Sequence, residues 1–394
     1  MNFDFIPSKI RIYFIILVLL LLTFRCKTKP DNSVISDESK WQKIEPFFSP
    51  PTKYKDNYGP YRSPLNFYDG TPVRSVEDWH KRRKEIKNRW HNLMGEWPQL
   101  IKNQEVEILE TIHREGFIQN RIKFYWTPNE QTEGYLLIPE GEGKKPAVVI
   151  VYYEPETAIG FGKPDRDFAY QLTRRGFMTL SIGTTQATQD KTYALYYPNL
   201  ENAQVQPLSM LAYAAANAWY ILDNLPEVDS ERIGIAGHSF GGKWAMFASC
   251  LFDNFSCAVW SDPGIVFDES RPDINYWEPW YLGYHPPPWR KRGIITEENP
   301  AKGLYPELIT GGYDLHELHA LMAPRPFLVS GGSEDPLKRW IALNHTIAIN
   351  KLLGYENRVA MTNRLEHSPN PDSNEQMYQF FEYFLKNELE PVKN

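Results

Sequence analysis

A mostly parallel β-sheet covered by helices on both faces is the architecture that the 394-residue sequence predicts. Three observations carry the prediction. Helical and β-rich apolar patterns alternate from about residue 165 onward, four β-patterned runs precede them, and no internal repeat is present. With 42% hydrophobic and 14% aromatic residues the chain has enough apolar surface to offset chain entropy. Its net charge of −6 argues against a nucleic-acid partner, because phosphate binding needs a basic face.

The first residues read as an export signal. Lys9 and Arg11 precede an uncharged run from Ile12 to Phe24, which is too short for a comfortable bilayer span of roughly 17–25 residues. Residues 1–26 are therefore set apart, with three outcomes open: a lipid on Cys26, cleavage to a soluble form, or an uncleaved signal anchor. Thr23, Phe24 and Arg25 stand where lipoprotein processing normally uses small residues. A periplasmic, secreted or outer-membrane location is expected, with membrane contact only through that lipid or anchor. Cys250 and Cys257 are expected to be free buried thiols.

Residues 27–104 are assigned to a tether, an extended segment and a leading helix packed on the main domain. The helix spans Ser75 to Trp97: Ser75 is the N-cap, Val76, Trp79, Ile86, Trp90 and Leu93 recur on one face, and Gly95 with Pro98 stops it. Its basic run Lys81–Lys84 is read as a solvated face. The main domain, 105–394, opens with strands at Val106–Thr111, Phe117–Trp126, Tyr135–Ile138 and Ala147–Tyr153. Further strands follow at Phe177–Ile182, Arg232–Ala236, Ser256–Ser261, Pro326–Ser330 and Arg358–Thr362. Helices are expected at Asp165–Arg175, Pro207–Leu222, Phe240–Phe252, Asp314–Met322, Pro336–Leu353 and Asn374–Asn387. Residues 265–313 are too long for a plain connection and read as an inserted lid.

The decisive local signal is Gly237-His238-Ser239-Phe240-Gly241-Gly242, placed between a strand and a helix. In a nucleophile elbow the serine occupies a strained strand-to-helix turn, and the flanking glycines avoid backbone collisions. The helix that follows aims its amides and dipole at a developing oxyanion. His238 is expected to face away and pack.

With this motif in this context the chain resembles the α/β-hydrolase superfamily from about Tyr135 to Leu389. The resemblance implies a triad in the order serine, acid, histidine: Ser239 as nucleophile, His367 in Glu366-His367-Ser368-Pro369 as general base, and an acid after a late strand. Asp335, in Gly331-Gly332-Ser333-Glu334-Asp335-Pro336, is the preferred acid, with Asp262 in Ser261-Asp262-Pro263-Gly264 and Glu334 as the alternatives. The oxyanion donors would be the amide of Phe240 and that of Tyr153 or Glu154.

More narrowly, the chain is similar to the carbohydrate-esterase branch of glucuronoyl and acetyl xylan esterases. The features are Trp79 with Arg82 and Arg83, Trp97-Pro98, Lys243 four residues after Ser239, and Ala323-Pro324-Arg325-Pro326. Lys243 would match the lysine that contacts the uronic acid, whereas Phe240 replaces the arginine that glucuronoyl esterases place after the serine. Trp277 and Trp280 in the lid are candidate sugar-stacking surfaces, with an aromatic-packed lid as the alternative. His316-Glu317-Leu318-His319 is set aside as a zinc helix because the histidines are three apart instead of four. No cofactor is inferred. The expected activity is removal of acyl or uronoyl ester groups from polysaccharides through an acyl-enzyme. A serine peptidase, a dienelactone-type small-molecule hydrolase and an inactive carbohydrate-binding surface protein are the alternatives.

Overall fold

The computed structural model describes residues 32–184 and 194–387, with side chains from residue 38. The expectations for residues 1–26, including Cys26, lie outside the described residues. Among those described, no helix is long and apolar enough to cross a membrane.

Nine strands form a single sheet: β1 Glu107–Arg114, β2 Phe117–Tyr125, β3 Gln131–Pro139, β4 Lys145–Tyr152, β5 Met178–Gly183, β6 Val228–His238, β7 Cys257–Ser261, β8 Phe327–Gly331 and β9 Val359–Asn363. Their spatial order is β1-β2-β3-β5-β4-β6-β7-β8-β9. The first three pair antiparallel, β3 is antiparallel to β5, and all the later pairings are parallel. The parallel strands are apolar throughout because both faces are covered. In β4, Ala147, Val149 and Val151 join one core, and Val148, Ile150 and Tyr152 the other. This is the period-2 alternation of a strand.

The helices are α1 Asn32–Ile44, α2 Val76–Met94, α3 Phe168–Arg174, α4 Pro207–Asp223, α5 Phe240–Leu251, α6 Tyr305–Thr310, α7 His316–Ala320, α8 Trp340–Leu352 and α9 Pro371–Lys386. Helices α4 and α5 lie on the first core, and α3 and α9 on the second. Ser75 caps α2 by accepting a hydrogen bond from Asp78 N (3.1 Å). Gly95 ends it with φ 91°, where a side chain would strike the carbonyl of Gln204.

Three expectations change. Part of the expected tether is helix α1, followed by a 3-10 turn over Glu45–Phe48 whose Phe48 ring packs on Phe380 and Phe384. The aromatic contacts supply what the short helix lacks in periodicity. The basic run of α2 is not all solvated: Arg82 is fully buried, stacks on Tyr68 at 4.0 Å and sits 3.9 Å from the buried Glu317. The lid contains no regular helix or strand until α6, which the sequence did not signal. It is nonetheless packed, with Tyr276, Trp277 and Leu282 fully buried.

Candidate active site

Strand β6 delivers Ser239 to the C-terminal rim of the sheet, and α5 begins immediately after it. Ser239 has φ 58° and ψ −113°, a backbone region that costs a side-chain-bearing residue about 1–3 kcal/mol and persists only where the surroundings enforce it. The enforcement is visible. Ser239 N donates to Ser261 O (2.8 Å), and the turn passes so close to β4 that a Cβ on Gly241 would lie 2.0 Å from Val151 O. A Cβ on Gly237 would lie 2.2 Å from Gly241 O. Both glycines are thus fixed by close approach, as the motif predicted.

The loop after β9 carries His367 over this turn. Ser239 Oγ donates to His367 Nε2 at 2.8 Å, and His367 Nδ1 donates to Asp262 Oδ2 at 2.7 Å. The imidazole is one-third exposed, while Asp262 is fully buried. Asp262 follows β7 directly with a left-handed φ of 51°, a conformation that aspartate tolerates better than most residues. Its carboxylate also accepts Gly332 N (2.6 Å), Asp335 N (2.8 Å) and Glu334 N (3.3 Å). These amides fix the direction of the carboxylate. Gly332 must be glycine here, since a Cβ would lie 2.6 Å from Asp262 Oδ2 and 2.4 Å from Glu366 O.

Asp335, preferred from the sequence as the acid, does not touch the imidazole. Its carboxylate turns the other way, accepting Gly264 N (2.8 Å) and Ile265 N (2.7 Å) and lying 3.7 Å from Arg339. Burial, with the charge of Asp262 second, raises it to about 6. The reason is reach: Asp335 stands four residues past the end of β8 on a turn whose amides wrap the carboxylate of Asp262. Glu334 pairs with Arg271 (3.6 Å) and is likewise off the imidazole.

Phe240 opens α5, so its amide is one of the four at a helix start with no intrahelical acceptor. Tyr153 lies directly against it, ring on ring at 4.2 Å and 14°. The carbonyl of Tyr153 takes Thr184 N and that of Glu154 takes Thr157 N. The structure therefore brings Phe240 and Tyr153 together beside Ser239. Glu154 is exposed next to them.

Lys243 is buried instead of open to solvent. Its ammonium donates to Pro263 O (2.6 Å) and Asp273 O (3.1 Å) above the Tyr276 ring, and burial pulls its pKa down to about 8 against the raising influence of Asp335. As placed, it ties the elbow helix to the lid. Trp277 is also corrected: it is fully buried, with its indole N–H on Gly293 O (2.9 Å), so it offers no stacking face. Trp280 is half-buried and edge-on at 6.3 Å to Trp289, which is also half-buried, so both keep an accessible surface in the lid.

Two parts of the site escaped the sequence reading. Arg364, three residues before His367, buries its guanidinium among the ends of β7, β8 and the histidine loop. Glu278 and Arg290 form a buried ion pair (3.0 Å) inside the lid. His238 packs as expected, yet its ring lies 4.8 Å from that of His367, and burial drives its pKa well below the usual range, which keeps it neutral. Only a charged residue directly after an apolar strand signals Arg364.

Neither a protein-family model nor a curated protein sequence matches the chain. Solved structures do. A glucuronoyl esterase from Solibacter usitatus aligns over 82% of this chain and 97% of its own with a TM-score of 0.66 at 16% identity. A carbohydrate esterase family 15 glucuronoyl esterase from Caldicellulosiruptor kristjansonii covers 88% and 95% (TM-score 0.59, 19% identity), and one from Teredinibacter turnerae 82% and 89% (0.60, 18%). The chain has the α/β-hydrolase fold. At these identities the likeness establishes the fold, and the chemistry has to be argued from the side chains.

Those side chains form a proton relay. A hydroxyl, an imidazole whose Nδ1 lies on a carboxylate, and a helix start behind the hydroxyl together allow attack on a carbonyl. Among the described residues no cluster of histidine, cysteine and carboxylate side chains is arranged for a metal ion.

Proposed function

We propose that the chain is an exported serine ester hydrolase that removes acyl or uronoyl ester groups from plant or algal polysaccharides. The observation that carries the chemistry is the continuous Ser239–His367–Asp262 hydrogen-bond line on a strained elbow. His367 takes the proton of Ser239 as its oxygen attacks the ester carbon. The oxyanion collects donors at the start of α5 and from the Tyr153 side, and the imidazolium then protonates the departing alcohol. Water deacylates the serine by the same steps with His367 again as base. Asp262 holds the imidazole in one tautomer and balances its charge.

The carbohydrate part of the proposal rests on the esterases that share the fold and on the aromatic lid around Trp280 and Trp289. Phe240 against Tyr153, in place of a cation next to the serine, favours a neutral acyl group over a bare carboxylate at that position. Purified protein should release p-nitrophenol from p-nitrophenyl acetate, and Ser239→Ala should lower kcat by about 10⁶-fold, to background. Equal rates would remove Ser239 from the mechanism. A panel of acetylated xylan, methyl glucuronate esters and aminoacyl nitroanilides sets the substrate class, and exclusive cleavage of the anilides would replace esterase by peptidase.

A further inference from the structure

Arg364 has no carboxylate within 4 Å among the described residues, yet its guanidinium is buried, and burial lowers its pKa. Its donors are fully engaged by neutral oxygens. One terminal nitrogen donates to Ser330 O (2.9 Å), Ser330 Oγ (3.1 Å) and Gly331 O (3.2 Å) at the end of β8. The other donates to His367 O (2.6 Å) and Ser261 Oγ (3.3 Å), and Nε donates to Ser368 O (2.8 Å). Asp262 and Asp335 act on this cation without contacting it, and with no carboxylate in contact its burial is unfavourable unless many donors must be aimed at once, which a planar guanidinium does where an ammonium cannot.

The places it aims at are the supports of the relay. Ser261 directly precedes Asp262, and its carbonyl anchors the elbow through Ser239 N. The carbonyls of 367 and 368 belong to the loop that carries the imidazole. On its outer side that loop is bare: Leu365 is 89% exposed and Glu366 is exposed. Pro369 is buried beyond it, so the turn around His367 is held by that proline and by Arg364. The fork of Arg364 spans the loop and the ends of β7 and β8 from below.

We propose that Arg364 is a positioning residue for ester hydrolysis, holding His367 in line with Asp262 and Ser239 through the backbone of the histidine loop. This rests on the reading of Ser239 as nucleophile and His367 as base. A shift of the imidazole by about 1 Å is enough to cost about a hundredfold in turnover. Arg364 is buried with its donors engaged by the backbone and by serine hydroxyls, so substrate binding should be spared.

The test compares full-length wild type with Arg364→Gln and Arg364→Lys, using p-nitrophenyl acetate kinetics and the second-order rate of Ser239 labelling by a fluorophosphonate. The expected result is that Arg364→Gln lowers kcat and the labelling rate together by about a hundredfold with KM within about threefold. Arg364→Lys should recover part of both, because it restores some donors without the fork. A folded Arg364→Gln, by near-ultraviolet circular dichroism, that labels and turns over like wild type overturns the proposal. So does a loss confined to KM with labelling intact. If Arg364→Gln does not fold, Arg364→Lys decides alone: wild-type kcat and labelling rate refute the role, and a matched fall in both at constant KM supports it. Wild type that neither hydrolyses the ester nor labels at Ser239 would instead sink the esterase reading, and the role of Arg364 with it.

Discussion

Replacing Asp262 by asparagine tests the assignment of the acid, because the hydrogen-bond set around it determines how asparagine must sit. Oδ1 accepts Gly332 N and Asp335 N at 2.6 and 2.8 Å, and Oδ2 accepts Glu334 N at 3.3 Å and His367 Nδ1 at 2.7 Å. The amide oxygen of the introduced asparagine will keep the two short backbone bonds, which puts its NH₂ group against His367. A donor there can be satisfied only if Nδ1 gives up its proton, and the tautomer that results carries hydrogen on Nε2, facing Ser239. That imidazole cannot take the serine proton. Loss of the base in this way lowers kcat by about 10⁴, or about 5.5 kcal/mol of barrier. Asp335→Asn makes the same isosteric change on a carboxylate that serves only Gly264 N, Ile265 N and Arg339. Its cost falls on stability, about 1–3 kcal/mol for the amide left facing a donor, with kcat inside tenfold of wild type. Steady-state hydrolysis of p-nitrophenyl acetate by the two variants, with thermal melts alongside, separates them. If Asp335→Asn loses as much kcat as Asp262→Asn while remaining folded, or if Asp262→Asn keeps wild-type kcat, the acid assignment is wrong.

Two further outcomes concern stability. His316 is buried, its Nε2 donates to Arg62 O, its ring lies 4.9 Å from Tyr61 and 5.1 Å from His345, and burial holds its pKa at about 3. Because the unfolded chain takes up the proton first, this histidine's contribution is complete above pH 6.5 and is lost as pH falls toward 3, by about 2 kcal/mol between pH 6.5 and 5. Denaturant midpoints at pH 7 and 5 should therefore draw closer in His316→Gln than in wild type; an unchanged gap would clear His316 of the effect. In the lid, Arg290→Met strands the buried Glu278 carboxylate and should cost about 3–5 kcal/mol, part of which Glu278→Leu in the same chain restores. Matching melting temperatures for Arg290→Met and wild type would mean that the pair does not hold the lid.

Much of the scaffold was legible because it is written in short-range patterns. The parallel strands are apolar runs bounded by turns, and the observed ends of β7, β8 and β9 fall within a residue of those expected. The elbow was legible for a sharper reason: Gly237 and Gly241 are forced by backbone clashes of 2.2 and 2.0 Å, so the steric requirement appears directly as residue type. Helix α1 and the internal order of the lid were not legible. Their order comes from aromatic rings meeting partners far along the chain, as Trp41 meets Tyr383, and no local period records such a meeting. For the same reason Lys243 and Trp277 read as substrate-binding candidates, since burial under a lid without regular structure leaves no trace in the adjacent residues.

The acid shows where sequence reasoning runs out even with the right motif in hand. The loops after β7 and β8 each carry an aspartate, and each aspartate accepts backbone amides from the other's loop: Asp262 takes those of 332, 334 and 335, and Asp335 takes those of 264 and 265. Either carboxylate is needed for the pair of loops to close, so both positions demand an acid whatever the chemistry. What separates them is direction. A left-handed turn at residue 262 swings one side chain toward the imidazole, while the other is drawn into the amides that follow Pro263. Direction is set by φ and by the length of the turn, and Asp-Pro-Gly and Glu-Asp-Pro are equally good loop sequences. Burial first, and the charge of Asp262 second, raise the pKa of Asp335, while the contacts themselves separate the roles: Asp335 accepts Gly264 N and Ile265 N, and Asp262 accepts the imidazole.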